Sequence, residues 1–320
     1  MMSDAIRLFP QQFLYQPEIV GDFHAKNYTR FVVVGMGGSH LAADALERLR
    51  PDIDLLVYSD YGLPVILDPK NTLIILSSYS GGTEEVLAVS EEGLKRGYNM
   101  AAIAIGGQLL DFARAHQIPF IQLPNTGIQP RSAWASSLRA LMKLLGCEAD
   151  LVAMENLTNL AINDLEKSGK SLAKQLFKRV PIIYASRQNK SIAYNWKIKC
   201  NETGKIPAFY NILPELNHNE MNGFDVAEPT RELSERFTFI FLRDDDDHPQ
   251  IQKRFTVLKK LYEARGLPVI EINLIGQSAI EKMAWALVLA DWTAVAIAEQ
   301  YGLESEQVPM VEEFKRLISK

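Results

Sequence analysis

The chain has 320 residues, with 34 Lys and Arg against 39 Asp and Glu, so its formal net charge is −5 at pH 7. Hydrophobic residues make up 47% of the sequence, which excludes a disordered or collagen-like chain, and the length favours two domains that each bury a core. The mild acidic excess creates no basic field for a nucleic acid, so we expect no nucleic-acid partner.

The N-terminus, the apolar segments and the cysteines indicate a cytoplasmic protein. Residues 1–10 include charged side chains and lack an uninterrupted apolar run, so we expect no signal peptide. The longest apolar segment, 284–298, is shorter than the about 20 residues that a membrane-spanning helix needs, so we expect a buried helix and no membrane partner. The two cysteines, Cys147 and Cys200, lie far apart without a CxxC pair, which is typical of a reduced chain.

The first half of the chain alternates short apolar runs with longer amphipathic stretches. The apolar runs predict buried strands at 31–34, 55–58, 72–76, 101–105 and 120–122. The stretches between and after them have helical spacing of apolar residues and predict helices at 40–50, 83–96, 110–116 and 134–145. Because strands and helices alternate, we expect an α/β fold with a parallel sheet flanked by helices.

The same order of elements begins again after a helical connecting segment at 150–178. The second half predicts strands at 180–185, 237–242 and 269–273, and helices at 191–200, 250–265 and 280–301, before a C-terminal helix. This repetition indicates two copies of one α/β unit, which we assign to domains 1–150 and 151–320. The acidic run 244–247 predicts a solvated loop before a helix.

A glycine-rich loop with the sequence GMGGSH, at 35–40, follows the first predicted strand and precedes the first predicted helix. Backbone N–H groups at the start of a helix favour an anion, so this loop predicts a phosphate site. A dinucleotide-binding fingerprint would need a third glycine where His40 stands, which weakens an NAD interpretation although Asp60 could take the place of the ribose-binding acid.

A second loop with the sequence SSYSGGTE, at 77–84, also ends a strand and begins a helix. Ser78, Ser80 and Thr83 can surround one phosphate with neutral donors, while the helix dipole supplies partial positive charge. A serine-rich turn with Thr83 as a helix N-cap is the alternative. Because neighbouring parallel strands bring their C-terminal loops to one edge of a sheet, the two loops together predict a phosphomonoester cradle.

Acid, base and cation candidates follow in the chain. Arg131 lies at the mouth of the last strand of the first half, where it can stabilise a developing oxyanion or form a surface salt bridge. The stretch 200–224 concentrates Asn, Glu and His beside aromatic residues. Glu202 ends a predicted helix and is a candidate proton-transfer carboxylate, and His218 can titrate near neutral pH and move a proton.

Other chemistries have little support in the sequence. The five histidines show no metal-ligand spacing, so we predict no metal site. The run SGKS at 168–171 resembles the end of a Walker A loop, but Asp164 occupies the place of the first glycine and no strand precedes it. The sequence also contains no GxSxG elbow for an acyl-enzyme.

Taken together, these residues resemble the double sugar-isomerase (SIS) domain proteins of the bifunctional phosphoglucose/phosphomannose isomerase type. The resemblance covers nearly the whole chain, and its most specific segments are 201–205 and 214–223. It implies two flavodoxin-like domains, a homodimer, and reversible isomerisation of glucose 6-phosphate or mannose 6-phosphate with fructose 6-phosphate. This reaction needs a tuned carboxylate and a fixed cation, and no cofactor.

The resemblance also implies a role for each candidate residue. Glu202 would carry the proton between C1 and C2, and Arg131 would stabilise the enediolate. His218, contributed across the dimer interface, and Lys315 would assist ring opening. The substrate phosphate would be held by residues of the two loops, namely Gly37, Gly38, Ser39, Ser78, Ser80 and Thr83.

Three alternatives remain open at this point. A non-catalytic phosphosugar-binding SIS regulatory protein would keep the loops without needing Glu202 or His218. An SIS amidotransferase would need an N-terminal cysteine, whereas this sequence begins with Met1. An NAD-dependent dehydrogenase is the third. The sequence at 305–309 differs from the segment usual in the family, so the preferred hexose epimer is open as well.

Overall fold

The computed structural model describes residues 2–318, which form two compact units. The N-terminal unit is Arg7–Leu160, and the C-terminal unit combines Met1–Ile6 with Ala161–Lys320. The domain boundary at residue 150 stays a prediction from the sequence.

The N-terminal unit contains a six-stranded sheet and the helices that flank it. A short helix, α1 (Met2–Arg7), precedes it in the chain. Its strands are β1 (Ile19–Val20), β2 (Arg30–Val34), β3 (Asp54–Tyr58), β4 (Thr72–Ser77), β5 (Asn99–Ala104) and β6 (Phe120–Gln122). Its helices are α2 (Leu41–Leu49), α3 (Glu84–Lys95), α4 (Gly107–Ala115), α5 (Trp134–Leu144) and α6 (Glu148–Met154).

The strand order of this sheet is β1-β6-β5-β4-β2-β3. The five strands from β2 to β6 are parallel and have the flavodoxin-like order, with Val32 of β2 paired to Leu56 of β3 and to Ile74 of β4. The apolar residues of β2, β4 and β5 are buried on both faces, as expected for a sheet covered by helices, whereas the edge strand β3 leaves Leu56 exposed. The predicted parallel sheet flanked by helices is confirmed, and the two-residue β1 adds an antiparallel strand at its edge, paired with β6.

The C-terminal unit contains a four-stranded sheet. Its strands are β7 (Val180–Ser186), β8 (Phe209–Leu213), β9 (Phe237–Arg243) and β10 (Val269–Asn273). Its helices are α7 (Ile162–Gln175), α8 (Lys190–Glu202), α9 (Glu220–Gly223), α10 (Pro249–Glu263), α11 (Ala279–Gln300) and α12 (Pro309–Ile318). All four strands are parallel, in the order β10-β9-β7-β8, so the strand order again reverses beside the first strand of the unit.

The strands predicted from apolar runs are all present, with ends that differ by at most two residues. The connecting segment 150–178 is not one helix: α6 and α7 are separated by a 3-10 turn at Glu155–Asn159 and by the extended Leu160. Strand β8 was not predicted, because its edge position leaves it without a continuous apolar run. The run SGKS lies inside α7, where Gly169 allows close packing against Trp292 of α11.

The acidic run 244–247 is not a solvated loop, because Asp244 and Asp247 are 2% and 5% exposed. Lys282 of α11 compensates the charge, with its Nζ 2.6 Å from Asp244 Oδ1 and 2.6 Å from Asp246 Oδ2. Sequence spacing could not show this partner. Helix α11 is buried on nearly all sides, as predicted. Within residues 2–318, no helix has the length and apolar character needed to span a membrane.

Candidate active site

The two predicted phosphate loops meet at the switch point of the N-terminal sheet, where the strand order reverses between β2 and β4. The backbone N–H of Tyr79 donates to Ser39 Oγ over 2.8 Å, and Ser77 Oγ donates to the Ser39 carbonyl over 2.7 Å. The structure therefore brings together the loops at 35–40 and 77–84, and hydrogen bonds hold them in fixed register.

Two glycines in these loops allow close approaches that a side chain would prevent. A Cβ at Gly38 would lie 2.7 Å from the backbone nitrogen of Arg131, so the first loop packs directly against the 3-10 turn Pro130–Ser132. Gly81 has a φ of +74°, and a Cβ there would lie 1.8 Å from the Gly106 carbonyl oxygen. The backbone of both loops is thus set by contacts that require glycine.

The hydroxyl groups of the second loop form a local network at the start of α3. Ser78 Oγ accepts from the N–H groups of Gly81 and Thr83 over 3.1 and 3.3 Å, and lies 2.7 Å from Thr83 Oγ1. Ser78 is buried and Ser80 is exposed. Thr83 occupies the N-cap position of α3, but its side chain makes no cap hydrogen bond to the helix. The Thr83 hydroxyl is therefore bonded to Ser78 within the loop and does not cap the helix.

Arg131 lies beside the first loop and is only 2% exposed. Its Nη1 donates to Gln129 Oε1 over 3.5 Å. Burial excludes the interpretation of Arg131 as a surface salt-bridge residue. A guanidinium keeps its positive charge at all ordinary pH values, so the turn presents a fixed cation next to the hydroxyl-lined loops.

His40 and Asp60, the two residues weighed for an NAD site in the sequence, make ordinary structural contacts. His40 is 7% exposed, and its Nδ1 lies 2.9 Å from Asp44 Oδ2 one turn along α2. Asp60 is exposed, and its Oδ1 accepts the N–H of Tyr61 over 2.7 Å. Within residues 2–318, no group of three or more His, Cys, Asp or Glu side chains is placed to hold a metal ion.

The candidate proton-transfer residues belong to three elements of the C-terminal unit. Glu202 is the last residue of α8 and is half-buried. His218 is exposed at the end of the 3-10 turn Glu215–His218. Lys315 is exposed on α12, with its Nζ 2.9 Å from Glu312 Oε1.

The turn that carries His218 leads into α9, whose first residue, Glu220, bonds to the sheet. Tyr184 Oη of β7 donates to Glu220 Oε1 over 2.5 Å, and Asn211 of β8 donates to the other carboxylate oxygen. Burial raises the pKa of Tyr184 well above its usual range, with a further contribution from Tyr262 and Glu220. The tyrosine therefore stays protonated and keeps donating to the carboxylate.

Sequence reasoning missed the polar contacts at the end of α8. Lys199 Nζ lies 2.6 Å from Asp291 Oδ1 of α11, and Lys205 Nζ donates to the Glu202 carbonyl over 2.6 Å. The available signal was Asp291 itself, which is a charged residue in the middle of the apolar stretch 284–298. No local signal marks the Lys205 contact.

Comparison with known proteins agrees with this architecture. Residues 165–318 match the model of the family described as the bacterial phospho-glucose isomerase C-terminal SIS domain. Together with the two flavodoxin-like sheets, this match defines the class as the double SIS-domain proteins.

The bifunctional phosphoglucose/phosphomannose isomerase of Aquifex aeolicus (strain VF5) is 32% identical to the chain, over 92% of this chain and 91% of that protein. The bifunctional phosphoglucose/phosphomannose isomerase of Thermoplasma acidophilum is 30% identical, over 93% of each. A solved structure of a hypothetical protein from Thermus thermophilus shares the fold, with a TM-score of 0.70 and 17% identity over 99% of this chain and 86% of that one. The chain belongs to the family of bifunctional phosphoglucose/phosphomannose isomerases.

Proposed function

We propose that this protein is a phosphohexose isomerase that interconverts fructose 6-phosphate with glucose 6-phosphate, mannose 6-phosphate or both. The observation that carries the proposal is the pair of hydroxyl-lined loops at the N-terminal switch point, packed against the buried Arg131. The names of the relatives that cover the whole chain support the reaction type.

The loops would bind the phosphate group of the substrate. The proposed donors are the hydroxyls of Ser39, Ser78, Ser80 and Thr83 and the backbone N–H groups of Gly37 and Gly38. Ser39 Oγ accepts one backbone N–H and still has its own proton to donate to an anion. Ser78 and Thr83 share one proton in the hydrogen bond between their hydroxyls, so this pair has one further proton to donate. Because the chain has a net charge of −5, affinity for a dianion must come from these local dipoles rather than from the field of the whole protein.

Glu202 would act as the base. Its carboxylate takes the proton from C2 of the aldose, which leaves an enediolate, and returns it to C1. The proton of the O2 hydroxyl passes to O1 in the same conversion, so that C2 becomes the carbonyl carbon of the ketose; the reverse direction uses the same steps. Arg131 would stabilise the negative charge that develops on the enediolate oxygen, an effect that is strong when the cation is fixed and shielded from water. The proton moves within the substrate, so the reaction needs neither an oxidant nor a reductant.

His218 and Lys315 would assist opening of the sugar ring. The imidazole of His218 can exchange a proton with the ring oxygen, and we propose that a partner subunit of a homodimer supplies it. Its exposed position supports a role towards a second copy of the chain. We further propose that the protein acts in the cytoplasm, as the reduced, buried state of both cysteines suggests.

A coupled assay tests the reaction. Purified protein is given fructose 6-phosphate, and glucose 6-phosphate and mannose 6-phosphate are measured separately. We expect turnover by the wild type, a loss of about 10²- to 10⁴-fold in kcat for Glu202→Gln, and wild-type turnover for Glu232→Gln, an exposed glutamate of the same unit. Absence of exchange by the wild type, or full activity of Glu202→Gln, would contradict the proposal. Binding of sugar phosphate without turnover would instead favour the regulatory protein.

A further inference from the structure

One lysine joins two backbone segments at the end of α8. Lys205 lies three residues after Glu202, and its Nζ donates to the Glu202 carbonyl over 2.6 Å. The same Nζ donates to the carbonyl of Gln307, in the segment between α11 and α12. A single ammonium group therefore connects the residue proposed as the base to the segment that leads into the C-terminal helix.

The backbone of this turn is tightly specified. The N–H groups of Thr203 and Gly204 both donate to the Lys199 carbonyl over 3.0 Å, and Ile206 N–H donates to the Cys200 carbonyl over 3.2 Å. A Cβ at Gly204 would lie 2.8 Å from that Cys200 oxygen. The chain is thus folded back against the end of its own helix, with no room for a side chain at position 204.

Lys205 itself has a φ of +58°, in the left-handed region. Helices commonly end on a residue with this conformation, and that residue is usually glycine or asparagine because a Cβ is strained there. A lysine at this position costs conformational energy that glycine would not. What distinguishes Lys205 is the bridge that its side chain makes between the two carbonyls, which glycine could not make.

The charge of the lysine also suits its place. The carbonyl groups at the C-terminus of a helix carry partial negative charge, and a cation that bonds to them is stabilising. Glu202 contributes one of these carbonyls while its side chain is proposed to move a proton. Holding the Glu202 carbonyl restricts the backbone at Cα, and this in turn limits the directions in which the carboxylate can lie.

We propose that Lys205 is a positioning residue for Glu202: its ammonium group fixes the last turn of α8 by bridging the Glu202 and Gln307 carbonyls, and so holds the carboxylate in its productive orientation. This inference rests on the proposed function, in which Glu202 is the base. It assigns Lys205 an effect on the chemical step and none on the binding of the phosphate group.

The variant Lys205→Gly separates the bridge from the backbone strain. Glycine adopts the same φ without strain, so the variant loses the ammonium group while the turn keeps its conformation. We expect kcat for fructose 6-phosphate isomerisation to fall by roughly 10- to 100-fold, the usual cost of a misplaced catalytic group, with KM nearly unchanged and with no fall in Tm. Lys205→Arg, which keeps a cationic donor, should recover part of the lost kcat.

Lys178→Gly is a matched control. Lys178 also has a positive φ, +59°, and it lies in an exposed turn after α7 of the same unit. Its replacement should leave kcat and KM at their wild-type values. Should Lys205→Gly not fold, Lys205→Asn gives the same comparison, because asparagine also tolerates the left-handed region.

Wild-type kcat in Lys205→Gly, or a loss of kcat that Lys178→Gly matches, would overturn the inference. A raised KM with unchanged kcat would overturn it as well, because the lysine would then act in substrate binding. If the wild type is active and Glu202→Gln is not, these results bear on Lys205 alone. If Glu202→Gln is as active as the wild type, the proposed function fails and the role of Lys205 fails with it.

Discussion

Lys199 Nζ lies 2.6 Å from Asp291 Oδ1, and the two side chains are 2% and 3% exposed. The pair joins α8 to α11, and Lys199 precedes Glu202 by one helical turn. Because a buried charge is costly without a partner of opposite sign, each member of the pair makes the other tolerable in the core. The pair thus anchors the same turn of α8 that ends at the proposed base.

The variant Lys199→Met should be strongly destabilised, because it leaves the Asp291 carboxylate in the core without its lysine. We expect the free energy of unfolding to fall by about 3–5 kcal/mol in urea titrations, and the double variant Lys199→Met/Asp291→Leu to recover much of that loss. The control Lys190→Met, at an exposed position of the same helix, should change stability by no more than about 0.5 kcal/mol. Equal effects of the two single lysine variants would contradict the prediction.

The variant Gly81→Ala should damage the phosphate cradle. A methyl group there meets the Gly106 carbonyl oxygen at 1.8 Å, in a backbone with a φ of +74°. We expect a loss of roughly 2–5 kcal/mol in stability, together with loss of the increase in Tm that fructose 6-phosphate causes in the wild type.

The neighbouring Gly82 provides the comparison for Gly81. A Cβ at Gly82 would meet nothing within 4 Å, so Gly82→Ala should keep wild-type stability. If both variants unfold at the wild-type temperature, the close approach between the 77–84 loop and Gly106 is not a constraint on the fold.

The guanidinium of Arg131 should be needed for its shape as well as its charge. Arg131→Lys keeps a cation but loses the planar fork of donors, so we expect kcat to fall by about 10²-fold, close to the cost of removing an oxyanion donor. Arg139 is the matched case, since it is fully buried in the same unit and donates to the Leu151 carbonyl over 2.7 Å. Arg139→Lys should lower Tm without lowering kcat. Unchanged kcat in Arg131→Lys would remove this residue from the mechanism.

The stability of the protein should fall between pH 9 and pH 12 partly because of Cys200. Burial raises the pKa of this thiol from 9.0 to about 12. The folded protein thus holds the proton more tightly than the unfolded chain, so the contribution of Cys200 is fully present below pH 9 and is lost as the pH rises through 12.

The slope of unfolding free energy against pH is best measured between pH 9 and pH 10. Above that window buried tyrosines add their own contribution, as for Tyr262, whose pKa burial raises from 10.0 to about 12. Replacing Cys200 with Ala should make the loss of unfolding free energy shallower, by up to roughly 1.4 kcal/mol per pH unit. Parallel curves for the wild type and Cys200→Ala would mean that the thiol ionises equally in the folded and unfolded protein.

The sequence predicted those features that depend on local periodicity. Apolar β-branched runs located the strands, and the loops after β2 and β4 were placed at one sheet edge because neighbouring parallel strands must end together. The contacts that fix polar residues in the core were not predictable in this way. Lys199 and Asp291 are 92 residues apart, and Lys205 and Gln307 are 102 apart. Pairs this far apart in the sequence leave no periodic pattern in either segment. The solvated-loop interpretation of 244–247 failed for the same reason, because the partner Lys282 lies in a different element.

The second switch point shows how the two units differ in chemistry. In the C-terminal sheet the strand order reverses between β7 and β9, and the loops that follow these strands carry Asn189 and Asp244. Asn189 Nδ2 donates to Asp244 Oδ2 over 3.0 Å, and Lys282 binds the other oxygen of the same carboxylate. Where the N-terminal unit has hydroxyls, this unit has the buried carboxylate of Asp244, whose oxygens already accept from Asn189 and Lys282. A phosphate dianion would have to compete with this carboxylate for the same donors.

The duplicated fold should therefore bind a single sugar phosphate per chain. Calorimetric titration of the full-length protein with fructose 6-phosphate should give one site per chain, and Ser80→Ala/Thr83→Ala should weaken that site by removing two proposed donors. Asp244→Asn/Lys282→Met, which changes the C-terminal switch point without changing its net charge, should leave the affinity unaltered. Two sites per chain, or weaker binding in Asp244→Asn/Lys282→Met alone, would show that the carboxylate-lined switch point takes part in binding the anion.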